Sequence, residues 1–255
     1  MSTPAGTDWH GAPLGTGVVL LRVHDSGLAA LIKPAGVLSH PNKAGEEPRS
    51  LLATRYDPDQ QCYTWSGPDG IERRAWLLHR LDSATSGLVL MAVHARVAAA
   101  VRDAFEQRKV LKRYIAVVLG HPRERQAHWR DAIEVRREAG AVRASLRGGA
   151  PAETLMRCVR LVPGPPALAV IELQPLTGRT HQLRVQCVRR HLPILGDQNY
   201  GDFRKNRDIA RRIGTDRLFL HARSVELEFT LDGRRVRFEA ECALPDEFSR
   251  FVDVR

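Results

Sequence analysis

The expected class is α+β, and three features of the sequence are consistent with it. Apolar runs joined by short polar turns form antiparallel hairpins near both ends, over residues 18–32 and 224–239. Residues 87–93 and 110–119 have the length and β-branched content of core strands. Between them, residues 94–109 carry the recurrence of an amphipathic helix.

Each element follows from its local sequence. Residues 1–16 are small and polar with Gly and Pro, and read as a disordered or loosely docked tail. They leave no room before Val18 for an N-terminal S4-like module, so a single domain over residues 17–255 is expected. The runs 18–23 and 28–32 flank His-Asp-Ser-Gly and form the first hairpin. Pro and Gly in KPAGVLSHPN, residues 33–42, stop regular structure. A short helix is expected over 50–56 and a surface loop over 57–70, where Asp, Pro, Gly and Gln accumulate. In the helix over 94–109, Val97, Val101 and Phe105 recur every fourth residue, while Arg102, Asp103, Glu106 and Arg108 lie off that stripe. Residues 120–152, rich in Arg, Gly, Ala and His, predict a loop or β-ribbon with a basic face, a grip for RNA or simply solvated charge. Strands over 154–161 and 168–173 are joined through Pro163-Gly164-Pro165-Pro166. Thr180 is the expected N-cap of a helix running to about Arg190. Residues 204–212 form a basic helical insert, and strands over 224–230 and 234–239 close the chain.

A net charge of +10 over 255 residues points to a polyanionic partner: RNA, DNA or an anionic membrane surface. Arg supplies nearly all of the surplus, since Lys occurs only at 33, 43, 109, 112 and 205. Arg suits phosphate forks and base stacking. Cys62, Cys158, Cys187 and Cys242 show no CxxC spacing, so no zinc site is suggested. There is no secretory signal and no apolar run near the ~20 residues that span a bilayer. A cytoplasmic location with reduced thiols is expected. The sequence also lacks a P-loop, a GxGxxG turn and metal-ligand spacing.

Two stretches carry candidate chemistry. In HRLDSATSGLVLM, residues 79–91, Asp82 stands in a charged polar turn at the mouth of an apolar strand. A strand holds a side chain more precisely than a loop does, although an Asp among Ser and Thr is usually a turn residue bonded to its own backbone. In LTGRTHQLRVQ, residues 176–186, Arg184 lies one turn inside a helix that opens at a strand end, where a phosphate or a solvated position would serve it equally. HRLDSATSGL and GRTHQLR resemble the catalytic motifs of the RluA-type RNA pseudouridine synthases. KPAG at 33–36, KRY at 112–114, HLPILGD at 191–197 and LFLHA at 218–222 are similar to further family elements, in the family's order. HLPILGD departs from it by Leu192 before the Pro. The pattern GDxxxGDxxxNR, residues 196–207, looks more like members that modify tRNA than like ribosomal ones.

The resemblance covers about residues 18–250. It implies one catalytic domain with a large, mostly antiparallel sheet flanked by helices. It also implies the reaction, in which the N1–C1′ bond of a uridine breaks and the uracil rejoins through C5. That isomerisation has no redox change and takes no external group, so no cofactor and no metal are expected. Asp82 is implied as the nucleophile, with Arg184 as its ion-pair partner. Tyr114 would lie against the target uracil and Leu220 on its other face. Arg80 would fill the space the base leaves, and His79, Thr85, Arg179 and His181 would join in substrate binding. The partner is RNA, either tRNA or large-subunit rRNA, with no membrane and a monomeric protein. Two other readings stand beside this one. A non-catalytic RNA chaperone on the same domain would tolerate loss of Asp82, Tyr114 or Arg184, and all three are present. A glycosidase-like hydrolase needs a carboxylate pair, and no second acid accompanies the site motifs.

Overall fold

The computed structural model describes residues 9–138 and 141–252. In chain order its elements are β1 (Val19–Val23), β2 (Leu28–Lys33), β3 (Tyr56–Asp57), β4 (Cys62–Ser66), β5 (Glu72–Leu77), β6 (Ser86–Ala92), α1 (Ala95–Glu106), β7 (Val110–Leu119), β8 (Gln126–Glu138), β9 (Ala141–Val162), β10 (Leu168–Pro175), α2 (Gln182–Arg189), α3 (Phe203–Ile213), β11 (Leu220–Leu231), β12 (Arg234–Glu241) and α4 (Asp246–Val252). The class is α+β with mostly antiparallel strands, as the sequence predicts. Contacts gather into two compact units. The first runs up to Val110 and takes in Ser224–Cys242; the second holds Leu111–Arg223 and the chain from Ala243.

In the first unit β6 is buried at every position. A strand covered on both faces needs no polar alternation, which is why SGLVLMA reads as a continuous apolar run. β2 pairs antiparallel along its whole length, from Leu28↔Ala92 to Lys33↔Gly87, and β1 pairs with β2. β5 joins β6 through Trp76↔Ala92 and Leu77↔Met91. α1 lays Val97, Ala98, Val101 and Ala104 on a core shared with Leu28, Leu88, Leu90 and, from the β11–β12 hairpin, Val225, Leu227 and Phe238. Fully burying one such Val or Leu contributes about 1.5–3 kcal/mol.

Two expectations for this unit are corrected. Residues 50–56 are not helical. The preceding residues Glu47–Arg49 form a 3-10 turn, and the chain then runs through bridges Leu38↔Ser50 and Leu14↔Leu52. Leu51 and Leu52 are both fully buried although they are consecutive, and bridging on two sides achieves that better than one helix face. Residues 57–70 are not one loop either, because β4 lies within them. Its Cys62, Tyr63 and Trp65 are buried, and the Tyr63 hydroxyl donates to the Ser39 carbonyl at 2.8 Å. Of the tail expected over 1–16, residues 1–8 lie outside the described residues. Trp9 is buried and stacks on Trp65 at 6.3 Å. The Gly15 N–H donates to Leu51 O at 2.9 Å, so the chain from Trp9 to this point is docked.

In the second unit β10 pairs antiparallel with β7, from Leu168↔Leu119 to Leu173↔Tyr114, and on its other edge with β9. β8 and β9 form the long ribbon that the Arg- and Gly-rich segment predicts. Its register shifts between Ile133 and Glu134. There Gly149, at φ +101°, lies so close to the Ile133 carbonyl that a Cβ would collide with it. The ribbon's side chains at 136–143, 146 and 147 lie outside the described residues. α2 begins one residue later than expected. Its N-cap is His181 in the left-handed region, φ 55°, rather than Thr180, and makes no side-chain cap bond. The entry turn is held instead by Gln182 Oε1, which accepts from Arg179 N–H at 3.0 Å and the Thr177 hydroxyl at 2.8 Å. α3 is the basic helix expected, N-capped by Asp202. Among the described residues no helix is long and apolar enough to cross a membrane.

Candidate active site

In the first unit Asp82 is half-buried in the turn before β6. That turn is fastened from several directions. Thr85 N–H donates to Asp82 O at 3.0 Å, and Gly36 N–H to Ser83 O at 2.8 Å. The Ser39 hydroxyl donates to Leu81 O at 2.8 Å and accepts from Leu81 N–H at 3.0 Å. Lys33, fully buried, donates from Nζ to the carbonyls of Pro34, Val37 and Ser83 at 2.9, 2.7 and 3.0 Å. The Lys-Pro-Ala-Gly turn and the Asp82 turn are therefore one piece of structure. His79 anchors the motif inward, its Nε2 accepting from Leu90 N–H at 3.1 Å and its ring 5.4 Å from Phe105. Thr85 is buried. Arg80 is exposed, with Nη1 3.2 Å from His40 Nε2.

The second unit carries the remaining expected residues. Arg184 is buried on α2. Its Nε and Nη2 donate to Asp197 Oδ2 and Oδ1 at 2.8 and 2.7 Å. This is a bidentate pair with side-chain exposures of 4% and 0%. Asp197 Oδ1 also accepts from Asn199 N–H at 2.9 Å and Tyr200 N–H at 3.0 Å. The guanidinium carbon lies 5.0 Å from the centre of the Tyr200 ring, and His181 Nδ1 is 2.8 Å from the Tyr200 hydroxyl. Arg184 and His181 thus meet around Tyr200. Arg179 is exposed and donates from Nε to Pro151 O at 3.1 Å. Tyr114 is buried in β7 opposite Leu173. Two residues earlier on the same strand face, desolvation draws the Lys112 ammonium down to about 8. Leu220 is buried at the start of β11.

Several residues in these arrangements were not singled out from sequence. Asp197 and Asn206 belong to the GDxxxGDxxxNR pattern, and their contacts give that pattern a physical content. Asn206 donates to Asp197 O at 3.1 Å and accepts from Gly196 N–H at 3.1 Å. Gly196 has φ +75°, and a Cβ there would collide with the Arg217 carbonyl. The motif therefore clamps the turn that presents Asp197 to Arg184. A buried Gln and Thr pair does similar work under α2. Thr154 Oγ1 donates to Gln186 Oε1 at 2.7 Å, and Gln186 Nε2 donates to Asp131 Oδ2 at 2.8 Å. Repeated Gly-Asp pairs were the available signal for the first arrangement. The second, built from strands and helix distant in sequence, had none.

The sequence profile of the RNA pseudouridylate synthase family matches residues 27–189. A protein of Yersinia pestis named tRNA pseudouridine synthase C is 32% identical over 226 residues, covering 85% of this chain and 83% of that protein. An uncharacterised RNA pseudouridine synthase of Mycobacterium bovis is 34% identical over 224 residues, 83% of this chain; the match spans only 65% of the length of that relative. Among solved structures, human RNA pseudouridylate synthase domain containing 1 superposes with a TM-score of 0.65 at 24% identity, covering 93% of this chain and 86% of the human one. This chain belongs to the RNA pseudouridylate synthase family.

Proposed function

We propose that the protein is an RNA pseudouridine synthase that isomerises uridine in structured RNA, with tRNA as its substrate class. Family membership supports the reaction, and the printed names of relatives such as that of Yersinia pestis support tRNA. The observation that carries the catalytic assignment is the fastening of the Asp82 turn, a carboxylate at the mouth of a buried strand with its loop tied down by Lys33, Gly36 and Ser39. A nucleophile held this way loses little orientational freedom before attack.

In this reading a carboxyl oxygen of Asp82 attacks, the N1–C1′ bond breaks, the C5–C1′ bond forms and the bond to Asp82 is broken again, while the C5 proton leaves to solvent and N1 takes one up. Arg184, held by Asp197, is the proposed ion-pair partner of Asp82. Tyr114 and Leu220 hold the flipped uracil, and Arg80 occupies the gap the base leaves, offsetting the few kcal/mol of unstacking. Thr85, His79, Arg179 and His181 shape the binding surface. No cofactor or metal takes part. The protein works as a cytoplasmic monomer.

The test is tritium release from RNA labelled at uridine C5, with tRNA and rRNA fractions assayed separately. Wild type should release tritium from tRNA. Asp82→Ala should release none while its melting temperature stays within about 3 °C of wild type, since the side chain is half-buried and outside the apolar core. Release by Asp82→Ala would remove it as nucleophile. RNA binding without release from any fraction would favour the chaperone reading.

A further inference from the structure

Beside the Asp82 turn, wholly within the first unit, lies a cleft of about 310 Å³ lined among others by His40, Tyr56, Pro58, Gln61, Leu78 and Arg80. That volume is at the lower end of the about 300–1,000 Å³ range of small-molecule sites. Its wall is an aromatic stack. The His40 and Tyr56 rings lie 4.9 Å apart and 9° from parallel, and Tyr56 in turn packs on the fully buried Tyr63 at 4.8 Å. Burial pushes the Tyr56 hydroxyl above its ordinary range, with Arg80 opposing, so the ring is neutral.

The polar groups of the cleft are also set in place. His40 Nδ1 faces the Pro41 carbonyl at 2.9 Å. A carbonyl can only accept, so Nδ1 carries the proton and Nε2 accepts from Arg80. Gln61 brings an amide, a donor and an acceptor on one group. Its backbone stands at φ 53°, where glycine is favoured, while its carbonyl accepts from Leu77 N–H at 2.9 Å. A non-glycine residue held at such a φ on the cleft wall points to use of its side chain. Among the described lining residues there is a guanidinium and no carboxylate.

We propose that this cleft is a second base-binding subsite, which takes an unpaired nucleobase of the RNA other than the uridine being isomerised. A flat ring would continue the His40–Tyr56 stack, and its edge would meet the Gln61 amide. Arg80 is two residues from Asp82, at most ~7 Å of chain, so the base held here neighbours the target. The proposal rests on the RNA-modifying reading above.

The test separates the two. The full-length Asp82→Ala protein is bound to total bacterial RNA labelled with 4-thiouridine, irradiated, and its adducts mapped by mass spectrometry. Adducts are expected at His40 or Tyr56. His40→Ala and Gln61→Gly, each with Asp82 intact, are then assayed for tritium release. Gln61→Gly relieves the strained φ, so it should melt no lower than wild type. Both variants should raise KM, about 5- to 100-fold for His40→Ala, with the loss falling on KM rather than kcat. Adducts only elsewhere on the chain, with KM unchanged in both variants, would overturn the subsite alone. No adduct anywhere and no release by wild type would overturn the parent reading and the subsite with it.

Discussion

Lys33 ends β2 with a fully buried ammonium whose hydrogen bonds go to main-chain carbonyls of its own turn and of the Asp82 turn. Lys33→Met fills the space but leaves buried carbonyls unsatisfied. The expected cost is about 3 kcal/mol of stability, read from urea denaturation. Loosening the Asp82 turn should also lower kcat by roughly 100-fold, the effect of a misplacement near 1 Å. Full activity with unchanged stability would show that Lys33 does not hold the turn. Arg184 and Asp197 give a sharper residue-scale test, because removing either breaks a buried bidentate ion pair. Asp197→Ala should cost about 3–5 kcal/mol. Arg184→Met should cost less, since Asp197 retains the Asn199 and Tyr200 amides. The double variant should cost less than the sum of the two, and a double-mutant cycle measures that coupling. Strict additivity would mean that the pair contributes no interaction energy.

Element by element, the sequence was legible wherever periodicity was strong. β7 begins and ends where the apolar run does, and α1 buries Val97 and Val101 of the stripe that the four-residue recurrence predicts, with Phe105 partly buried beside them. It failed where tertiary partners decided the outcome. CYTWS, residues 62–66, is short and set among Asp, Gln, Pro and Gly, so nothing local marks it as a strand. Its register against β5, Cys62↔Trp76 to Ser66↔Glu72, supplies the missing half. The entry to α2 was misread by one residue because Thr180 suits an N-cap, whereas Gln182 reaches back to do the fastening. For the site, the HRLD and GRTHQLR stretches were visible as compact motifs. The partner of Arg184 seen here was not, since Asp197 lies 13 residues further along. α3 offers a test of local coding. The Asp202 side chain accepts from Lys205 N–H at 3.0 Å, and Gly214 closes the helix at φ 72°. Asp202→Ala should cost about 1 kcal/mol, a fall in melting temperature of roughly 2–4 °C. An unchanged melting curve would mean that α3 is held by its packing through Ile209 and Asn206 rather than by its cap.

At the scale of the whole molecule, charge and titration decide how the fold responds to its medium. The surplus of +10 suits a polyanionic partner, and it also raises the cost of every further proton the native state must take up. His221 in β11 is the clearest case. It is buried, and desolvation first, then Arg217 and Arg223, pull its pKa from the ordinary 6.5 down to about 4. The sign follows from linkage. Between those two values the unfolded chain binds a proton that the native imidazole does not, so acid favours unfolding. The stability tied to His221 is fully present above about pH 6.5 and is lost as pH falls towards 4. The whole interval is worth about 3 kcal/mol. Acidic groups also titrate below pH 5, so the informative quantity is a difference. Urea denaturation of wild type and His221→Gln at pH 7, 5.5 and 4.5 should show the wild type losing stability more steeply across that range. Two parallel curves would show that His221 takes up its proton as readily in the native protein as in the unfolded chain.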